Sequence, residues 1–348
     1  MPPVVSGLSG RRRRGWWRLL LAPALLFPWL GNPASGGEVL RAVAAFPVNI
    51  DFTKSFLDFI DKVNRAANGR VEIRYLGGPE VIPDKQQPDA VRRGAVDIHY
   101  GPASYFIGQV AEGDALVGSR LTPAEARANG AFDLIDRIYR DKFGVEMLGH
   151  FDAGVGFNIY LRRAPPLKAD GSPDFSALTL RSQPIYREFF RALGARVVSI
   201  PIGEAMTAFG RRIADGTGWS QIGLTDLGWQ RYLRYRIDPP FFQSELVTIV
   251  NLKRWRSLPA DVRALIRGVA RAHEQSSYRH FQTLIGEHRR REKEAGITAI
   301  TLAGQARADY LAAAYAAPWE RLKARAAENY APLRALFFDP PGKKATRQ

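Results

Sequence analysis

The stretch from Ser176 to Phe209 constrains the fold more than any other part of the chain. Leu178, Thr179 and Leu180 read as the end of a short buried strand, apolar and β-capable, with Pro184 to stop it. Tyr186, Phe189, Phe190 and Leu193 then recur at spacings of three and four, one face of a helix. Gly194 suits the position just past that helix, where a left-handed backbone is needed. Val197, Val198 and Ile200 restart a strand, and Gly203-Glu204 opens another helix. Strand–helix–strand–helix is the unit of an open α/β sheet, and in such sheets ligands bind beyond the carboxyl ends of the strands. Arg181 stands at such an end. Its guanidinium is a planar fork of donors that matches a carboxylate, with a surface salt bridge as the competing reading.

The chain has 348 residues, enough for two lobes with their own cores. It contains no Cys, which excludes disulfides, thiolate chemistry and Cys-ligated metals. The formal charge of +16 overstates the basicity of the folded part. Residues 1–36 hold five Arg and no acid, so a chain without them carries 45 − 34 = +11. Those residues have the layout of a secretory signal peptide. Arg11 to Arg14 are followed by an apolar stretch, Leu19 to Leu30, too short to span a bilayer, and then by the small residues of Pro33-Ala-Ser-Gly36. A retained anchor competes with this, but Pro23 and Pro28 interrupt the helix it needs. The mature chain is expected to begin near Gly37 and to reside in the periplasm.

From there Glu38 to Ala45 reads as a strand, and Phe52 to Ala67 as an amphipathic helix that buries Phe52, Phe56, Phe59, Ile60 and Val63. Val71, Ile73 and Tyr75 alternate as a half-buried strand, Gln87 to Arg93 is a helix stopped by Gly94, and Val96 to Tyr100 is a strand. Thr122-Pro-Ala-Glu125 is a capping box with Pro at its first helical position, expected to open one helix reaching Phe143. Val145 to Gly149 and Leu246 to Val250 are further strands. From Pro259 to Ala295 no proline intervenes, which predicts a helix about 50 Å long, longer than one lobe. A weak internal echo links Ala90-Val-Arg-Arg-Gly-Ala-Val-Asp97 with Ala208-Phe-Gly-Arg-Arg-Ile-Ala-Asp215. The second copy has Arg212 in place of the glycine, so its turn is expected to differ.

The run Leu180-Arg-Ser-Gln-Pro-Ile-Tyr-Arg-Glu-Phe-Phe-Arg-Ala-Leu-Gly-Ala195, followed by Ile200 to Phe209 and Ala214-Asp-Gly216, resembles the DctP-type substrate-binding proteins of TRAP transporters. Ala90 to Ile98 resembles that family's first lobe, and Leu258 to Arg263 its entry into the final helical section. The resemblance implies an α/β, two-lobed periplasmic binding protein of the Venus-flytrap kind, with the long helix as a strut across both lobes. It implies a first lobe from 37–154 plus about 242–275, a second from 155–241 plus about 276–335, and a tail over 336–348. It also implies capture of a small organic acid for a TRAP membrane permease by a monomer, with neither cofactor nor nucleic acid involved. Arg181 would be the carboxylate clamp, and Phe46, Tyr100, Phe157, Gln183, Trp219 and Phe242 would face the cleft. Glycines flanking Trp219 would let its ring approach the ligand. A second Arg that many members carry on the preceding strand is replaced here by Gly156-Phe-Asn158, with Arg162 and Arg163 out of register.

Other chemistries have little to stand on. There is no Gly-x-Ser-x-Gly elbow, P-loop or His-Glu-x-x-His. His273, His280 and His288 share one side of the long helix, but zinc helices favour spacings of three or four, so a solvated face is expected. The basic run His288 to Lys293 lacks the aromatic platform of a nucleic-acid binder. Two rivals remain: the same fold serving an ABC importer or sensor kinase, and a periplasmic enzyme on this scaffold.

Overall fold

The computed structural model describes residues 37–169 and 171–339. The expected signal peptide and residues 340–348 of the expected tail lie outside the described residues. In chain order the first elements are β1 (Glu38–Ala44), α1 (Asp51–Ala67), β2 (Val71–Gly77), α2 (Gln87–Arg92), β3 (Ile98–Pro102), α3 (Asp114–Val117), α4 (Pro123–Ala128), α5 (Ala131–Phe143) and β4 (Val145–His150). Next come β5 (Phe157–Leu161), β6 (Thr179–Ser182), α6 (Arg187–Ala192), β7 (Arg196–Ser199), α7 (Ala205–Gly210), β8 (Gly216–Ser220) and β9 (Tyr235–Phe241). After them are β10 (Leu246–Asn251), α8 (Leu252–Ser257), α9 (Ala260–Glu294), β11 (Thr298–Thr301), α10 (Gly304–Arg325) and α11 (Ala327–Phe337).

The strands form two sheets, one per lobe, ordered β2-β1-β3-β10-β4 and β11-β9-β5-β8-β6-β7. In the first, β1 runs parallel to β2 and β3, while β10 is antiparallel to β3 and β4. In the second, β6 runs parallel to β7 and β8, while β5 is antiparallel to β8 and β9. The two βαβαβ units are therefore copies of one design, and the sequence echo is its trace. Asp97 Oδ2 accepts the backbone N–H of Arg41 at 2.8 Å, and Asp215 Oδ2 accepts that of Thr179 at 2.9 Å. At the turn before each Asp, Ala95 N donates to Ala90 O, and Ile213 N donates to Ala208 O, both at 2.9 Å. Gly94 has φ +78°, and Arg212 adopts φ +61° in the same place. The turn is kept despite the missing glycine, because the helix-end hydrogen bonds and the Asp215 anchor hold Arg212 in a left-handed state costing about 1–2 kcal/mol.

α1 forms where its apolar spacing predicts it. Phe52, Phe56, Phe59, Ile60 and Val63 are buried, and Asn68 closes the helix at φ +46°. Burying such side chains contributes about 1.5–3 kcal/mol each. The capping box at Thr122 is present, with Glu125 N donating to Thr122 Oγ1 at 3.3 Å. The helix it opens does not reach Phe143, however. It stops after Ala128 and restarts at Ala131. Gly130 takes φ +84°, while the Asn129 side chain accepts from Ala131 N and donates to Leu336 O, so a polar side chain competes with the helix for its own backbone.

α9 has the predicted extent, 35 residues. Val262, Ile266, Ala270 and Phe281 join the core of the first lobe, with Phe281 stacked on Phe52 at 5.2 Å. Farther along, Glu292 accepts from Tyr160 Oη at 2.7 Å and from Arg236 Nη1 at 2.5 Å, both in the second lobe. α10 spans the lobes as well. Tyr310, Ala314 and Ala317 pack with Phe189 and Phe241, whereas Trp319 and Leu322 pack with Phe106 and Val247. α11 follows onto the first lobe through Leu333 and Phe337.

The chain crosses between the lobes at 151–156 and 242–245. Each crossing contains a non-glycine residue in the left-handed region, Asp152 and Phe242, both at φ +54°. The crossings lie side by side: Ser244 N donates to Val155 O at 2.8 Å, and Ser244 Oγ donates to Asp152 O at 2.5 Å.

Candidate functional site

The shared design of the lobes decides where their strand ends meet. The carboxyl ends of β1 and β3 and the start of β10 face the carboxyl ends of β6 and β8 and the start of β5. Between them is a narrow cavity with a volume of about 60 Å³ accessible to water-sized molecules. Phe46, Tyr105 and Glu245 line it from the first lobe, and Phe157, Gln183, Tyr186 and Trp219 from the second. Four of the seven residues expected at a cleft are thus brought together: Phe46, Phe157, Gln183 and Trp219. Trp219 Nε1 donates to Ile222 O at 3.0 Å, and the indole packs edge-on against Trp229 at 4.9 Å, so its polar group is already used. The neighbouring glycines are needed for packing. A Cβ on Gly218 would lie 3.0 Å from Phe190 and 3.1 Å from Tyr186, and one on Gly216 only 2.3 Å from Tyr160 O.

Arg181 sits at the end of β6, fully buried. Nε donates to Ile200 O at 2.9 Å and Nη1 to Thr217 Oγ1 at 3.4 Å, and the group lies over the Trp229 ring at 5.6 Å. Nη2 has no hydrogen-bond partner, and no carboxylate among the described residues forms an ion pair with the guanidinium. Burial lowers its pKa, opposed by the phenols of Tyr186 and Tyr105 and by Asp84. Arg181 is not itself on the cavity wall, but Gln183, two residues farther along the same strand end, is.

Two expected residues lie elsewhere. Tyr100 is in the first lobe's core, stacked on Phe56 at 4.9 Å, with its hydroxyl donated to Asp152. Phe242 is in the second lobe's aromatic cluster, 4.9 Å from Phe241 and 5.8 Å from Phe189. Both stand at the right place along the chain, but the strand pleat and the crossing turn their side chains into packed layers. Asn158, where a second cation was sought, donates to Ile237 O at 2.7 Å. Arg162 and Arg163 follow the far end of β5, away from Phe157, and Arg163 faces Asp215 at 3.9 Å.

Sequence reasoning missed Glu245. It is 3% exposed, lines the cavity, and burial raises its pKa to about 7 even though Ser104 donates to it. Its signal was an acid directly before the apolar run Leu246 to Val250. It missed Tyr105 too, and it read Tyr186 only as helix core. Burial raises the pKa of both phenols.

Of the three histidines of α9 only His280 is solvated. His273 and His288 are buried, the first beside Ser55 at 3.2 Å and the second beside Asp51 at 3.1 Å. Asp51, Asp226 and His288 could meet around a cation. Gly223 N donates to His288 Nδ1 at 3.3 Å, however, which leaves the proton on Nε2, toward Asp51, where a metal would need the lone pair.

Residues 144–321 match bacterial extracellular solute-binding protein, family 7 (DctP). That is just over half of the chain, and the chain belongs to this family. A curated relative, the monocarboxylate 2-oxoacid-binding periplasmic protein of Nostoc sp. (strain PCC 7120), is 23% identical over 240 residues, covering 65% of this chain and 63% of that protein. Among solved structures, a TRAP periplasmic solute-binding protein from Desulfovibrio salexigens with bound orotic acid has a TM-score of 0.74 at 17% identity, covering 86% of this chain and 96% of the other. One from Desulfovibrio desulfuricans with bound sn-glycerol-3-phosphate has a TM-score of 0.77 at 16% identity, covering 89% and 99%. At such identities the likeness establishes the two-lobed fold. No helix among the described residues is long and apolar enough to cross a membrane.

Proposed function

We propose that this chain is the ligand-capturing component of a TRAP transporter, exported to the periplasm, which closes its lobes over a small organic carboxylate and delivers it to the membrane permease unchanged. Arg181 carries the reading. Buried guanidinium groups elsewhere in the chain are matched with acids: Arg321 with Asp114 and Glu188, Arg236 with Asp238 and Glu292. A buried cation left unmatched beside a cavity costs stability unless an anion completes it.

The charge count favours a carboxylate over a phosphate ester. One guanidinium balances one negative charge, whereas a phosphate monoester carries about −1.5 to −2. The lining contains no Lys or Arg to meet the excess, and Glu245 would oppose it. The names of the Nostoc and Desulfovibrio salexigens proteins, a 2-oxoacid binder and one holding orotic acid, fit the same class. Closure would proceed by rotation at the paired crossings around Asp152 and Phe242, with α9 and α10 flexing between the lobes.

The test is calorimetric titration of Arg181→Ala with the acid that travels through native purification. Truncating one partner of a buried charge pair costs about 2–5 kcal/mol, which is a loss of roughly 30-fold to several thousand-fold in affinity. A variant that binds as tightly as the parent would place the anchor elsewhere.

A further inference from the structure

We propose, on the basis of the carboxylate reading above, that the cleft selects an acid that also carries a hydrogen-bond donor, an amino, imino, amide N–H or hydroxyl group, and that Glu245 receives it. The charged groups that the two lobes bring to the cavity define both ends of such a molecule. On one side is the partnerless donor Nη2 of Arg181. Across the cleft, on the first lobe, is the buried carboxyl of Glu245, which has no ion-pair partner among the described residues, while Gln183 Oε1, on the same lobe as Arg181, is a buried acceptor without a hydrogen bond. Ser104 donates to Glu245 but brings no charge, and no basic side chain stands on the lining to neutralise it.

The phenols of Tyr105 and Tyr186 feel both the negative field of Glu245 and the positive field of Arg181. Glu245 lines the cavity from the first lobe and Arg181 sits at the end of β6 in the second, so a small molecule held between the lobes would present its donor to one and its carboxylate to the other. The remaining wall is apolar, with Phe46, Phe52, Phe157, Ile185, Trp219 and Leu246, which suits a compact ring or hydrocarbon body. A second carboxylate would face Glu245 with like charge. A 2-oxo group would set lone pairs against lone pairs, and a buried acceptor left without a donor costs about 1–3 kcal/mol. Burial pushes the Glu245 carboxyl up to about 7, so the ionised form that accepts a donor prevails above that pH. Below it the protonated carboxyl could meet an acceptor instead, and the discrimination is read above about pH 7.

The experiment titrates the full exported protein with matched acids: proline against cyclopentanecarboxylate, mandelate against phenylacetate and phenylpyruvate, and pyroglutamate against succinate. Each titration is run in a chelator and again with calcium. The donor-bearing member is expected to bind at least tenfold tighter. Glu245→Gln, nearly isosteric, should weaken that member tenfold or more and should tighten succinate and phenylpyruvate, because it removes the charge that opposes them and supplies an N–H donor. Equal binding of donor-free acids would overturn the inference while leaving the carboxylate reading intact. So would 2-oxo acids that bind only with calcium, because Glu245 would then serve as a cation ligand. Mass spectrometry of the ligand carried through native purification decides the matter outside this panel. An acid with a donor supports the inference, an acid without one overturns it alone, and a ligand with no acid group overturns the carboxylate reading as well.

Discussion

The two lobes repeat one backbone and differ at one decisive position. Counting from the matched Asp97 and Asp215 anchors, Val43 of β1 and Arg181 of β6 occupy the same place in their sheets. Both are fully buried. Val43 is ordinary core, in one cluster with Val247 and Met147. Arg181 puts a charge where the copy has a hydrocarbon, held by one backbone carbonyl and one hydroxyl. The second lobe thus gives up stability at a core position that the first shows can be filled without cost. The difference teaches that the fold does not require a guanidinium there. That contrast is the ground for proposing that a ligand's carboxylate completes it.

The sharpest way to break the comparison is Arg181→Val, which makes the second lobe imitate the first. Ligand affinity should fall by about 2–5 kcal/mol, while ligand-free stability in urea stays level or rises, because the buried unpaired charge is gone. A large loss of ligand-free stability would make Arg181 a structural residue. Arg181→Lys should restore only part of the affinity, since an ammonium lacks the planar fork.

The next effect belongs to the first lobe's own charged group. The carboxyl of Glu245 is raised from 4.5 to about 7 by burial, with Asp114 adding like charge. The folded state therefore holds a proton that the unfolded state has released between about pH 4.5 and 7. Stability contributed by this group is greatest below the unfolded value and is lost as pH rises through the folded one. The shift amounts to on the order of 3 kcal/mol. Ligand-free melts of parent and Glu245→Gln should diverge as pH rises from 4.5 to 8, with the variant the more stable. Because Asp114 and Asp136 are raised to about 6 and Asp152 to about 7, the quantity to read is the difference between the two proteins. Parallel curves would mean that Glu245 is not desolvated in the free protein.

Asp97→Asn and Asp215→Asn probe the repeat itself. Each should cost about 1.5–3 kcal/mol, the usual range for hydrogen bonds to a charged group, with Asp97 at the upper end because Arg41 Nε also donates to it. An effect at only one of them in chemical denaturation would show that the anchors are not equivalent. The smallest change expected is at the turns. Arg212→Gly should stabilise by about 1 kcal/mol by relieving its left-handed backbone, whereas Gly94→Ala should lose a similar amount. Identical thermal midpoints for Arg212→Gly and the parent would mean that its φ of +61° carries no strain.

The sequence by itself determined the elements and their class. Residues recurring at three and four placed α1 and α6, the long stretch without proline placed α9, and apolar runs placed β1, β4 and β10, because helical and strand periods come from covalent geometry that tertiary context does not alter. The motif around Arg181 located the buried guanidinium, and the eight-residue echo held the symmetry of the lobes. Tertiary structure decided what depends on a partner far along the chain. Tyr100 and Phe242 look as suited to a cleft as Phe46 and Trp219, and only Asp152 and Phe189 packed against them reveal that they are core. Asn129 breaks a continuous helical pattern because Leu336, 207 residues away, takes its side chain. Glu245 reads as an unremarkable acid before a strand. It becomes the cavity's second charge only when β10, arriving from beyond the second lobe, inserts between β3 and β4 and carries it to the cleft. A site assembled from strand ends of two lobes has no local spacing, so its membership is fixed by the packing that brings those ends together.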